Sequence, residues 1–272
     1  MLNPERRMYS VYNLLFLALL LLLSPYIAVR WILDSEEWRL RLGYLPKSRQ
    51  KGALWLHGAS VGEIGSLAPL VSQVRALLPE TPIVVSAMTK TGRERAIREL
   101  NEADLIVLSP IDFPLFVRRT LEALKPNAVI IAETELWPNL VRQARSAGAK
   151  VAMVSGRISE ESLPRYRQFR RFFRTVLSNF TLLCVQSDED RERFLELGAH
   201  PDRVVVAGSL KSDACLRTVP ISRSELGLPD GVPIFVAGST RPGEEEVLFG
   251  AFKEVRRSWQ GLRLIVAPRH LQ

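Results

Sequence analysis

Short runs of apolar residues recur along the chain between longer stretches in which apolar positions return every three or four residues. The runs read as strands over Ala53–His57, Pro82–Ala87, Leu105–Leu108, Ala128–Ala132, Lys150–Val154, Leu182–Val185 and Val204–Val206. Between them, Gly65–Leu78, Pro114–Leu124, Pro138–Ala147 and Asp188–Leu197 carry the helical pattern. Strands that are apolar at nearly every position, joined by helical crossovers, predict an α/β fold with a parallel sheet covered on both faces. After "RTVPISRSELGLPDGVP", a linker-like stretch rich in Pro, Gly and Ser, the pattern restarts with "PIFVAGSTRPGEEEVLFGAFKEVRRSWQGLRLIVAPRH". Its order of strand, Gly-containing turn, Gly-Glu and helix repeats that of "LWLHGASVGEIG", so two Rossmann-like domains are predicted. The second has only begun at Gln272, and two strands make no stable sheet, so the sequence reads as the front part of a longer protein.

The N-terminus departs from both patterns. Residues 8–29 contain no charge, a length sufficient to cross a bilayer at roughly 1.5 Å per residue. A cleaved signal peptide would need a small-residue cleavage site, which is not evident. Pro25 shortens the uninterrupted helix and makes a kinked or shallow anchor the alternative to a spanning one. Arg30, Arg39, Arg41, Lys47, Arg49 and Lys51 follow the apolar stretch, against Arg6 and Arg7 before it. That bias places the body of the protein on the cytoplasmic side. The expected organisation is an anchor over 1–34, an N-terminal domain over 35–216, and a linker with an incomplete second domain over 217–272.

Composition narrows the function classes. Two cysteines among 272 residues exclude a disulfide framework, and both read as free thiols in a reducing compartment. The formal charge of +8 suits an anionic surface. The basic residues form no single strip interleaved with aromatics, which argues for anionic lipid rather than nucleic acid. No protein partner is predicted.

In open α/β sheets, chemistry gathers where strands end and helices begin. Four such places carry polar residues. "HGASVGE" sets Glu63 in the first turn of a helix, where it serves either as a dipole partner or as a catalytic group. "AETELWPN" sets Glu133 and Glu135 two residues apart after a buried strand, costly for like charges unless they are paired or used. "AGSLKSD" offers Lys211, and "APRH" offers Arg269; both could equally be solvated side chains. Other features carry less. In "QSDED", Ser187 stands as a helix N-cap with Asp190 three residues on, so capping outweighs a metal role for Asp188 and Asp190. "GASVGE" lacks the Gly-Lys-Ser/Thr ending of a phosphate loop. Neither His200 nor His270 has a partner at metal-ligand spacing. "RYRQFRRFFRTVL" is a basic, aromatic helix, either solvated or turned to lipid phosphates.

Taken in order, "HGASVGE", "AETELWPNL", "VSGRIS", "VQSDEDRERFLELGA", "GSLKSD", "AGSTRPGEEE" and "LIVAPRH" resemble the successive motifs of the 3-deoxy-D-manno-octulosonic acid (Kdo) transferases of lipopolysaccharide synthesis. The resemblance runs from about Trp38 to the last residues. It implies a two-domain GT-B glycosyltransferase that needs no metal or other cofactor. Such enzymes move Kdo from CMP-Kdo to the lipid A precursor, lipid IVA, at the cytoplasmic face of the inner membrane. It places the catalytic base on Glu63, the acidic residue of the reaction centre on Glu133 with Glu135 beside it, the lysine near the transferring group on Lys211, and the CMP contact on Pro268 and Arg269. Ser212 and Arg241 depart from the aromatic residue and histidine often found there, and the family's Gly-Gly-His-Asn run would lie beyond Gln272. A membrane-bound remnant without turnover, or another nucleotide-sugar enzyme of the same architecture, remains the competing expectation.

Overall fold

The computed structural model describes residues 4–46, 51–215 and 222–269. The chain divides into two compact units, Met1–Arg217 and Thr218–Gln272. The first opens with three helices, α1 (Pro4–Leu22), α2 (Ser24–Leu33) and α3 (Ser35–Arg41). An alternation follows: β1 (Leu54–Gly58), α4 (Val61–Ser66), α5 (Ala68–Leu77), β2 (Ile83–Ala87), α6 (Lys90–Glu99), β3 (Leu105–Leu108) and α7 (Pro114–Leu124). It continues through β4 (Ala128–Ala132), α8 (Pro138–Ser146), β5 (Lys150–Gly156), α9 (Leu163–Gln168), α10 (Arg170–Leu177), β6 (Leu182–Val185), α11 (Asp188–Glu196), β7 (Val204–Val206) and α12 (Leu210–Cys215).

Seven parallel strands form one sheet in the order β3-β2-β1-β4-β5-β6-β7. Alternate side chains of β1, β2, β4 and β5 enter opposite cores, as a pleated strand requires. Trp55, Val84 and Val129 pack on one face with α7, α8, α10 and α11. Leu56, Val85 and Ala132 pack on the other with α4, α5 and α6. The uninterrupted apolar strands thus have the cause expected of them, burial on both faces.

Two helices are shorter than their patterns. The stretch read as Gly65–Leu78 begins earlier and breaks at Leu67, because Pro69 sits in the first turn of α5 and has no amide to continue the preceding ladder. The basic segment divides at Phe169 into α9 and α10. Around the N-terminus the correction is larger. The first turns of α1 are docked on the globular body: Tyr9 is buried, the Arg142 guanidinium lies 4.1 Å from its ring centre, and Tyr12 donates a 3.0 Å hydrogen bond to Asp112. Beyond Asn13 the helix leaves the body and exposes Leu14, Leu15, Leu21 and Leu22, while Ile32 and Leu33 are exposed on α2. Among the described residues no single helix is long and apolar enough to cross a membrane. The bent pair Arg6–Leu22 and Ser24–Leu33, at 63°, meets length and composition only together. The bend falls at Leu23, two residues before Pro25.

α3 belongs to the body. Trp38 and Leu40 are buried, and Arg41 is held by Glu37 at 2.8 Å and by the Met88 carbonyl at 2.9 Å. Arg41 is therefore a structural cation rather than a free charge on the neck. Lys47 and Arg49 lie outside the described residues.

The second unit contains β8 (Ile234–Thr240), α13 (Glu244–Ser258) and β9 (Arg263–Pro268), with the two strands parallel. Leu262 is buried, but Val236, Val247 and Trp259 are exposed.

Candidate active site

The strand order reverses between β1 and β4, the neighbours from which the sheet grows outward in both directions. Ligands of open α/β sheets bind at the carboxyl ends of the strands at such a switch point. Glu63 follows β1 there, and Glu133 and Glu135 follow β4.

Glu63 is placed by local geometry. Ser60 caps α4, its hydroxyl accepting from the Glu63 amide at 3.1 Å. The Glu63 carboxylate turns back to accept from the Ala59 amide at 2.8 Å. This reciprocal arrangement resembles a capping box and fixes the side chain at the helix entrance. It also shows that the dipole-partner role and a catalytic role are compatible: one oxygen caps, and Oε1 has no partner among the described residues. Glu63 is 6% exposed. Gly58 makes this possible, since a Cβ there would lie 3.2 Å from the Ile64 side chain and 3.4 Å from that of Glu63.

Glu133 leaves β4 with φ of 55°, in the left-handed region that non-glycine residues seldom occupy. Its amide still donates to the Val154 carbonyl at 2.8 Å. One strand over, Ser155 has φ of 56°, and its hydroxyl accepts from the Leu210 amide at 2.8 Å. Strained backbone of this kind concentrates where side chains must be aimed. The Ser155–Leu210 bond ties down the start of α12, and Lys211, the next residue, forms an ion pair with Glu133. Glu135 completes the group. Burial, then the charges of Glu63 and Glu133, push its carboxyl up to about 7. Glu63, Glu133, Glu135 and Lys211, 148 positions apart at the extremes, thus share one edge of the sheet.

Pro268 and Arg269 close β9 in the second unit. The Arg269 amide donates to the Thr240 carbonyl at 3.0 Å. Ser239, at the end of β8, has φ of 61°, and the Arg241 amide donates to Glu244 at 2.9 Å.

Other residues resolve into structural roles. Ser187 caps α11, accepting from the Asp190 amide at 3.2 Å. Asp190 accepts from the Ile158 amide at 2.9 Å and lies 3.7 Å from Arg193. His57 is fully buried, sharing a 2.9 Å hydrogen bond with Ser86, and burial lowers its pKa to about 4. It is a neutral core histidine beneath the site. His200 accepts from the Asp202 amide at 3.3 Å, Cys184 is a free thiol, and His270 lies outside the described residues.

Sequence reasoning missed Asp112. Its carboxylate accepts from the Asn139 amide at 3.0 Å, the Leu140 amide at 2.8 Å and the Tyr12 hydroxyl. The Asn139 side-chain amide donates to the Asp112 carbonyl at 2.7 Å and to Asn13 at 2.8 Å. This clamp joins α1 to the N-terminus of α8, four residues beyond Glu135. Its only local signal is an aspartate between prolines in "SPIDFP", directly after β3.

Comparison with known proteins places the chain in a family. Residues 36–214 match the family described as 3-Deoxy-D-manno-octulosonic-acid transferase (kdotransferase). A 3-deoxy-D-manno-octulosonic acid transferase of Aquifex aeolicus is 30% identical, over 82% of this chain and 56% of its own length. One from Haemophilus influenzae is 29% identical, over 80% of this chain and 52% of its own. A bifunctional glycosyltransferase/methyltransferase of Fusobacterium nucleatum is 32% identical over 80% of this chain and 34% of its own. The chain therefore spans about half the length, or less, of these relatives. Among solved structures, UDP-GlcNAc 2-epimerase from Neisseria meningitidis bound to UDP-GlcNAc superposes with a TM-score of 0.59 at 13% identity, covering 81% of this chain and 66% of that one. The epimerase from Methanocaldococcus jannaschii gives 0.51 at 14% identity, covering 80% and 66%. At such identities the likeness is one of fold. The match across residues 36–214, with homologues near 30% identity over most of the chain, shows that this chain belongs to the 3-deoxy-D-manno-octulosonic-acid transferase family.

Proposed function

We propose that this chain forms the acceptor side, and the first segment of the donor side, of a GT-B glycosyltransferase that moves Kdo from CMP-Kdo to a lipid A precursor. The observation that carries the reading is the acidic group at the switch point, with Lys211 paired to Glu133 beside a helix-capped Glu63. In this reading Glu63 takes the proton from the acceptor sugar hydroxyl as the new bond forms. Its bond to the Ala59 amide orients the carboxylate for that transfer. Glu133 flanks the positive charge that develops on the Kdo ring, as carboxylates do in other glycosyl chemistry. Lys211 stabilises the negative charge of the reaction in this reading. Within the second unit, Pro268 and Arg269 are the residues the family resemblance assigns to CMP. Cationic side chains perform the charge stabilisation that a metal ion provides elsewhere.

The exposed leucines of α1 and α2 support a seat at the inner membrane, with the catalytic body on the cytoplasmic side, where the positive charges following the apolar stretch would hold it. The reading is tested by single-turnover transfer in a full-length protein containing residues 1–272. Transfer from CMP-Kdo to lipid IVA, lost in Glu63→Gln and absent when a UDP-sugar replaces CMP-Kdo, is the expected result. Turnover of UDP-N-acetylglucosamine instead, or wild-type transfer by the variant, would overturn it.

A further inference from the structure

Between α1 and α10 runs a groove of about 850 Å³, within the range of roughly 300–1,000 Å³ found for small-molecule pockets. Its walls are apolar: Val11 and Leu15 from α1, Phe169, Phe172 and Phe173 from the α9–α10 segment. Its rim is basic. Arg167 and Arg170 are engaged with Glu196, but Arg7 and Arg171 are exposed and have no partner among the described residues. An apolar trough with unpaired guanidinium groups at its edge complements an amphiphile with an acyl chain and a phosphate, since Arg recognises phosphate through paired N–H donors.

The groove also leads somewhere. Phe169 and Phe173 also line a smaller adjoining hollow, together with Ser162 and Tyr166. The Tyr166 ring meets Phe173 edge-on at 4.6 Å. Burial, and then the charge of Glu135, push the Tyr166 phenol up, which sets Tyr166 within electrostatic reach of the acidic group. Phe172, Phe173 and Tyr166, packed edge to face, thus run from the trough toward the acidic group. The trough exists because the Tyr12–Asp112 and Asn13–Asn139 bonds hold α1 against the body.

We propose that this groove holds an acyl chain of the acceptor lipid, with Arg7 and Arg171 on its phosphate and Tyr166 at the passage toward Glu135. The inference rests on the acceptor reading above and adds where the acceptor lies. It is tested on the 272-residue chain by fluorescence anisotropy of labelled lipid IVA carried in neutral detergent micelles. Val11→Trp fills the trough, Val11→Ala leaves it open, and Arg171→Glu reverses one rim charge. Val11 and Arg171 are both exposed, so unchanged melting curves serve as the folding control.

Val11→Trp and Arg171→Glu are expected to weaken binding about tenfold or more, the scale of one lost charge-assisted contact, while Val11→Ala stays near wild type. Saturable wild-type binding that neither Val11→Trp nor Arg171→Glu affects would overturn the groove and leave the acceptor reading standing. Equal displacement by phosphatidylglycerol would make it a general phospholipid site, and displacement by inorganic phosphate alone a mere anion site; either overturns the proposal. No binding of lipid IVA by the wild type would overturn both.

Discussion

Lys211 and Glu133 lie 78 positions apart in the chain and meet as an ion pair because two strand ends are bent to bring them together. Glu133 takes a left-handed turn out of β4, and the Ser155 hydroxyl holds the Leu210 amide that starts α12. Lys211 is 57% exposed and Glu133 26%, so solvent screens the pair, and its contribution to stability is expected to stay below about 1 kcal/mol. Lys211→Ala should leave the melting midpoint of the protein nearly unchanged. On the proposed mechanism its effect falls on the reaction, where loss of a cation that stabilises developing negative charge is worth about 10²-fold or more. Single-turnover transfer within threefold of wild type would remove Lys211 from the charge-stabilising group.

Glu63 permits a cleaner separation of fold from chemistry. Gln at this position keeps an acceptor for the Ala59 amide, so Glu63→Gln should fold normally. As a general base it cannot serve, and transfer is expected to fall by about 10²–10⁴. Glu63→Ala keeps the Ser60 cap but removes the bond to the Ala59 amide, at a further cost of about 0.5–1.5 kcal/mol in stability. The comparison is made by urea denaturation of the two variants beside their transfer rates. Equal stability of Gln and Ala variants would show that the Ala59 bond contributes nothing.

Glu135 predicts a pH dependence. Burial and two carboxylate neighbours raise its pKa to about 7, so it changes charge around neutral pH while ordinary carboxylates stay ionised. The pH profile of single-turnover transfer should carry a limb near pH 7, and Glu135→Gln should abolish that limb. A limb unchanged in the variant assigns it to another group.

Much of this was legible in the chain. The seven strands of the first unit fall within a residue or two of the apolar runs, because the central strands, buried on both faces, are apolar at nearly every position, His57 and Ser86 aside. Capping of α11 by Ser187 was equally plain, since the donor and acceptor lie three residues apart. What stayed hidden depends on distance in sequence. Nothing near Asp112 announces Tyr12, 100 positions away, or Asn139, 27 positions away. Residues 8–13 look uncharged and therefore membrane-bound, yet Tyr9, Tyr12 and Asn13 spend their polar atoms and rings on the body. Hydropathy records the absence of charge and not the presence of a partner. The break at Leu67 was readable from Pro69, but the helical spacing on both sides of it matched one continuous helix.

The Asp112 clamp gives the last prediction. Three donors converge on a carboxylate that is 1% exposed, two of them the amides at the start of α8. Asp112→Asn keeps one acceptor oxygen but turns an NH₂ group toward those donors, and a loss of about 1–3 kcal/mol is expected from the buried groups left unpaired. The loss should vary with pH in an unusual direction. Burial outweighs the hydrogen bonds and raises the carboxyl of Asp112 to about 6, against an ordinary aspartate value of 3.8. Between those values the folded protein binds more protons than the unfolded chain, so this group's contribution to stability declines as pH rises. Over the whole window the decline is on the order of 3 kcal/mol. Asparagine does not titrate and lacks the decline. The gap in unfolding free energy between wild type and Asp112→Asn should therefore be widest near pH 4 and narrow toward pH 7. Subtraction of the two curves cancels the opposite slope that His57, buried neutral, lends to both. Urea denaturation of the pair at pH 4, 5, 6 and 7 measures it, and a gap that widens with pH would show that Asp112 is ionised throughout and held below its ordinary value by the three donors.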